Sequence, residues 1–199
     1  MQIIGLCGSS GAGKSSAARI FASLGIPIID ADAVYHDLLY PYSPLIADIT
    51  KEFGNSVINP DGTLNRRALA AIVFSPEGKS TYLPKLNAIT HGAVITETEA
   101  RIAKLAESGC KRVIFDAPLL FESGFDKRCN IIISVIADED IRIARLVERD
   151  GLTPLQAKDR ISSQLSNEFL ISRSDYYIVN NGTVDELCKS VTDIAEKIT

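Results

Sequence analysis

Two hydrophobic rhythms alternate along this chain. Short runs rich in Ile and Val, apolar at neighbouring positions, are separated by longer stretches in which apolar residues return every three or four positions. The short runs are MQIIGLC at 1–7, IPIID at 26–30, RVIFD at 112–116, NIIISVIAD at 130–138 and YYIVN at 176–180. A strand covered on both faces has no polar side to alternate with, so such runs read as buried strands of a mostly parallel sheet. With helical patterns between them the fold class is α/β.

The first helix should open near Gly13, bury Ala17, Ile20, Phe21 and Leu24, and stop at Gly25, since glycine is favoured just past a helix end. From 40 to 108 the alternation gives way to a helical stretch with turns at PYSP (41–44) and NPDG (59–62), which reads as an insertion. Ser75-Pro76 and Thr153-Pro154 each place a capping hydroxyl before a proline at the first helical position, and Gln156 completes a capping box for the second. No repeat or low-complexity segment interrupts the pattern, so the pieces belong to one domain.

Composition changes this picture little. Of 199 residues 46% are hydrophobic and 23% charged, an ordinary globular mixture that excludes disorder. The net charge of −4 leaves no basic footprint for nucleic acid or an anionic membrane. IIISVIA at 131–137 falls far short of the roughly 20 apolar residues that cross a bilayer. Cys7, Cys110, Cys129 and Cys188 form no CxxC pair, and no signal peptide is recognisable, so a reducing, cytoplasmic setting is expected. Cys7 and Cys129, beside apolar runs, read as small buried residues.

The candidate chemistry begins directly after the first strand. Gly8-Ser9-Ser10-Gly11-Ala12-Gly13-Lys14-Ser15 fits GxxxxGK[ST] at every fixed position, between a strand and a helix. Glycines let backbone N–H groups turn toward a phosphate, Lys14 reaches the β- and γ-phosphates of a nucleoside triphosphate, and the Ser15 hydroxyl ligates Mg²⁺. Ser16 adds a further hydroxyl. A turn that only joined strand to helix would need neither the lysine nor the hydroxyl.

Asp30 and Asp32 follow the second strand, at the edge where open α/β sheets bind ligands. Phosphoryl transfer to a hydroxyl needs a proton acceptor, and Asp32 is a candidate; capping the next helix is an equally good use of it. Asp116 ends RVIFD in the manner of a carboxylate that assists Mg²⁺. Arg142, Arg145 and Arg149 stand at i, i+3 and i+7, with Arg160 on the next helix. Beside a phosphate loop they read as an arginine-bearing lid that neutralises phosphate charge and excludes water. His36 and His91 have no partners at metal-ligand spacing.

Taken in order, GLCGSSGAGKSS, GIPIIDADAV, FGNSVINPDGTLNRRAL, DAPLLFESG, ARLVERDGLT, RISSQ and DYYIVNNG resemble the dephospho-CoA kinase family over nearly the whole chain. The resemblance implies a P-loop kinase fold: a five-stranded parallel sheet flanked by helices, with a helical acceptor-binding insertion and a lid. It implies a core of 1–39, 109–137 and 174–199, an acceptor-binding subdomain at about 40–108 and a lid at about 138–173. The family transfers the ATP γ-phosphate to the ribose 3′-hydroxyl of dephospho-CoA, giving CoA and ADP in the last step of coenzyme A synthesis. On matching positions Asp32 becomes the base, Gly11, Ala12, Gly13, Lys14, Ser15 and Ser16 hold ATP, and Ser15 and Asp116 hold Mg²⁺. Arg145 and Arg149 close on the phosphates, Asn180 lies beside the adenine, and Arg66 is on the acceptor side. No obligate protein partner is implied. Three positions depart from the pattern: Ser16 replaces Thr, Arg142 replaces a glutamine and adds charge to the lid, and His91-Gly92 replaces a His-Pro turn.

Two other readings are separable. Another P-loop small-molecule kinase would prefer a nucleoside or sugar acceptor. A GTP switch would carry an NKxD motif after a late strand, where VIADED stands instead.

Overall fold

The computed structural model describes residues 1–198. In chain order the elements are β1 (Gln2–Gly8), α1 (Lys14–Ser23), β2 (Ile28–Asp30), α2 (Ala31–Asp37), α3 (Pro44–Phe53), α4 (Arg66–Val73), α5 (Gly78–Glu107) and β3 (Arg112–Asp116). There follow β4 (Ile131–Ile136), α6 (Glu139–Asp150), α7 (Pro154–Ser162), α8 (Asn167–Ser172), β5 (Tyr176–Val179) and α9 (Val184–Lys197). They group into two compact units: Met1–Asp30 with the chain from Leu105 onward, and Ala31–Lys104.

In the first unit the five apolar runs become, among the described residues, five strands of one sheet in the order β2-β3-β1-β4-β5. Every neighbouring pair is parallel. β1 lies at the centre, and its two-sided apolar character is what that place requires: Ile4 and Leu6 are fully buried. From α1 and α9 come Phe21, Leu187, Val191 and Ile194, which pack with Ile4, Leu6, Ile114 and Ile133 in a single core. Register sets Asp116 beside Leu6 of β1 and beside Asp30 of β2, so β2 and β3 end together at their carboxyl edge while β1 runs on to Gly8. α6 and α7 form a smaller cluster through Leu146, Ala157 and Ile161.

Local signals fix several helix ends. α1 ends where Gly25 takes a φ of 82°. α7 starts with the expected box, Thr153 accepting from the Gln156 N–H while Gln156 accepts from the Thr153 N–H. α9 carries a second box of the same kind: Glu186 N–H donates to Thr183 Oγ1 at 3.3 Å and Thr183 N–H donates to Glu186 Oε2 at 2.7 Å. Because α9 supplies three core side chains, its first turn bears on the whole fold. Thr183→Ala is expected to lower unfolding free energy by about 1 kcal/mol, read as a lower urea midpoint at unchanged m. An unmoved midpoint would show that water satisfies those N–H groups equally well.

The second unit is helical, as the 40–108 stretch suggests. Leu45, Ile49 and Phe53 of α3 meet Leu69 and Val73 of α4, with Leu83, Leu86 and Ile89 of α5 packed against them. PYSP is a turn and also a helix start, for Ser43 caps α3 by accepting from Ile46 N–H at 3.1 Å, with Pro44 in the first position. Its Tyr42 has a φ of 57° and lays its ring over Gly62 of NPDG. Ser75 accepts from the Gly78 N–H at 2.9 Å, so α5 begins two residues after Pro76. One expectation fails here: there is no turn at His91-Gly92. Both lie inside α5, which runs unbroken through them; its interior proline is Pro84.

Candidate nucleotide site

The loop between β1 and α1 has the form that GxxxxGKS predicts. Gly11 and Gly13 adopt φ of 79° and 96°, which side chains disfavour. Space also demands glycine: a Cβ on Gly11 would strike the Arg142 backbone, and one on Gly13 would strike the Asn180 amide.

Three successive loop carbonyls are each held by a side chain. Arg142 Nε donates to Ser10 O at 3.0 Å, Arg145 Nη1 to Gly11 O at 3.2 Å, and Asn180 Nδ2 to Ala12 O at 2.8 Å. Asn180 is itself buried and fixed by its N–H to Ile136 O at 2.8 Å. These donors stand on α6 and just past β5, so the loop's conformation is set by segments far from it in sequence.

Lys14, the first residue of α1, forms an ion pair with Asp116 at the end of β3; their side chains are 14% and 5% exposed. Ser15 and Ser16 follow in the first turn, and Ser16 Oγ accepts from Arg19 at 3.1 Å. A cleft of about 480 Å³ is lined by Gly11, Gly13, Ser16, Arg145, Arg149 and Asn180, together with Thr183, Val184 and Leu187 of the α9 start. This volume suits a small ligand, and the wall sets Arg145 and Arg149, with Glu148 between them in sequence, beside exposed Val184.

The arginine trio divides. Arg145 and Arg149 line the cleft, whereas Arg142 is 4% exposed, turned onto the loop instead of adding free charge to a lid. Spacing puts the three near one helix face but does not reveal that α6 touches Gly11 at Arg142. Burial pulls the Arg142 guanidinium below its ordinary pKa, against the pull of Glu139. Arg149 grips Asp150 through two hydrogen bonds of 2.7 and 2.8 Å, and Arg160 reaches the same carboxylate at 3.0 Å. Hydrogen bonding from Arg149, reinforced by Arg160, holds Asp150 below the usual carboxylate range.

In the helical unit Asp32 lies within the first turn of α2, which begins at Ala31, so it does not occupy the cap position. It is solvent-exposed there. Arg66 opens α4 and borders a groove of about 160 Å³ with Tyr35, Leu69, Val73 and Phe74. Burial raises the Tyr35 phenol pKa, and Arg66 opposes the shift.

The remaining candidates are spread over both units. His36 is exposed on α2 and His91 is within α5. Among the described residues no cluster of three or more His, Cys, Asp or Glu could hold a metal ion. Cys7 is buried and Cys129 half-buried; desolvation pushes their thiols up to about 11 and about 12, which makes them poor nucleophiles. No described helix is long and apolar enough to cross a membrane.

Comparison with known proteins gives one consistent result. The family profile described as dephospho-CoA kinase matches residues 2–186. A dephospho-CoA kinase of Corynebacterium efficiens is 39% identical, over 94% of this chain and 92% of its own. Among solved structures, TT1252 from Thermus thermophilus superposes with a TM-score of 0.81 at 28% identity, covering 100% of this chain and 98% of its own. A dephospho-CoA kinase from Campylobacter jejuni shares the fold, with a TM-score of 0.72 at 24% identity and coverage of 100% and 98%.

Proposed function

Because the chain belongs to the dephospho-CoA kinase family, we propose that its cleft holds ATP and that the γ-phosphate passes to the ribose 3′-hydroxyl of dephospho-CoA, giving CoA and ADP. The observation that carries the nucleotide half of this reading is the phosphate loop: a complete motif whose Ser10, Gly11 and Ala12 carbonyls are all engaged from outside. The acceptor half comes from the family.

Phosphoryl transfer asks a protein for alignment and charge stabilisation more than for covalent chemistry. Loop N–H groups and the N-terminus of α1 favour the β-phosphate. Lys14 exchanges its partner Asp116 for phosphate oxygens as the nucleotide arrives. Arg145 and Arg149, already in the cleft wall, offset charge on the transferring group and help exclude water. Asn180 acts on the nucleotide first through the loop, by holding Ala12, and borders the cleft where the base would lie.

Asp32 accepts the proton of the attacking hydroxyl. In support, it is an exposed carboxylate two residues past the end of β2, whose last residue pairs with Asp116. Arg66, on the rim of the groove beside Tyr35, meets the acceptor.

Mg²⁺ fits the donors present. Ser15 and Asp116 offer a hydroxyl and a carboxylate, hard oxygen ligands of the kind Mg²⁺ takes in small number alongside water and phosphate. Bound there, the ion would neutralise phosphate charge.

An acceptor panel tests the assignment. With ATP and Mg²⁺, turnover is expected with dephospho-CoA, with CoA as product, and not with uridine, AMP or gluconate. Preference for any of those three would replace the acceptor while leaving the nucleotide site intact.

A further inference from the structure

Ser10, the third residue of the phosphate loop, is held more closely than its neighbours. In the turn between α7 and α8, Gln164 Oε1 accepts the Ser10 N–H at 2.9 Å, and Gln164 Nε2 donates to Ser10 Oγ at 3.1 Å. The same Oε1 accepts from Arg142 Nη2 at 3.4 Å, while Arg142 Nε donates to Ser10 O. Two side chains thus hold the N–H, the carbonyl and the hydroxyl of one residue. Beside them Ser9 Oγ donates to Leu165 O at 3.2 Å, a second link from the loop to the same turn.

The burial pattern says what this arrangement serves. A buried guanidinium is costly unless hydrogen-bonded, and the acceptors Arg142 meets here are a loop carbonyl and the Gln164 amide oxygen. Gln164 is solvent-exposed, so it adds little apolar burial to the fold. Neither side chain lines the nucleotide cleft; both act on the loop that does.

We infer that Gln164 is a positioning residue for nucleotide binding: with Arg142 it fixes the Ser10 peptide and thereby ties the shape of the phosphate loop to the α7–α8 turn. The orientation of that peptide sets the entry to Gly11, whose left-handed conformation turns the rest of the loop. A loop without the clamp has to be ordered by the nucleotide, and the ordering is subtracted from affinity. The inference rests only on the nucleotide-binding part of the proposed function.

Calorimetric titration with ADP tests it and needs no acceptor. Gln164→Ala is expected to weaken ADP binding about tenfold and raise KM for ATP about tenfold, the scale of one lost hydrogen-bonded contact. KM for the acceptor and the melting temperature should stay unchanged. Gln164→Glu keeps an oxygen for the Ser10 N–H and for Arg142, and can accept from the Ser10 hydroxyl; it should bind ADP within about threefold of the parent. Unchanged ADP affinity in Gln164→Ala overturns the inference, as does a loss shared equally by Gln164→Glu or accompanied by a comparable fall in melting temperature.

Discussion

Lys14→Ala is expected to lower kcat/KM for ATP by about 10²- to 10³-fold, with both nucleotide affinity and turnover reduced. The ammonium meets charge that is already present on bound ATP, so part of its contribution is to binding. It also meets charge that shifts during transfer, so part is realised only at the transition state. The lysine also neutralises Asp116, a nearly buried carboxylate. The variant therefore loses some stability as well, and a melting curve belongs beside the kinetics. Kinetic loss measured well below the melting transition is the decisive quantity. Near-parental kcat/KM there would mean that the loop does not hold triphosphate in the way its motif requires.

Asp32→Asn separates differently. The amide has the shape of the carboxylate and cannot take a proton, so kcat with dephospho-CoA should fall by about 10²-fold or more, within the range that general bases supply. ADP affinity should hold, because Asp32 is outside the cleft lining. A melting curve belongs beside the kinetics, since Asp32 stands in the first turn of α2, where a negative charge favours the helix. Single-turnover and steady-state rates together give the measurement. Turnover close to the parent's would remove Asp32 as the base and leave alignment alone to account for transfer.

The sheet was legible in the chain because burial on both faces leaves a mark that needs no partner to interpret: Ile and Val in unbroken runs. The phosphate loop was legible for a related reason, since Gly11 and Gly13 are required by backbone conformation and by close approach. Side chains that act across the fold were not. Arg142 shares a spacing with Arg145 and Arg149, but periodicity gives only direction around a helix, and the contact of α6 with Gly11 is what turns Arg142 away from the cleft. Asn180, which the resemblance sets beside the nucleotide base, borders the cleft and also holds Ala12 O, a contact that nothing in its own segment indicates. Gln164 ends RISSQ, a string with no intrinsic geometry. His91-Gly92 makes no turn because glycine keeps its backbone N–H and can sit within a helix, as it does here in α5. The box at Thr183 and Glu186 could have been read, as its Thr-x-x-Glu spacing is the same kind of signal that marked Thr153.

The three pinned carbonyls have a consequence for synthesis. Their partners lie 132, 134 and 168 residues further along the chain. The motif at 8–15 is made long before its partners, and the three contacts are complete only once Asn180 has emerged. Long closures of this kind form late, since their entropy is lost before any contact compensates it. The nascent chain therefore carries the words of a nucleotide-binding site well before it acquires the site itself.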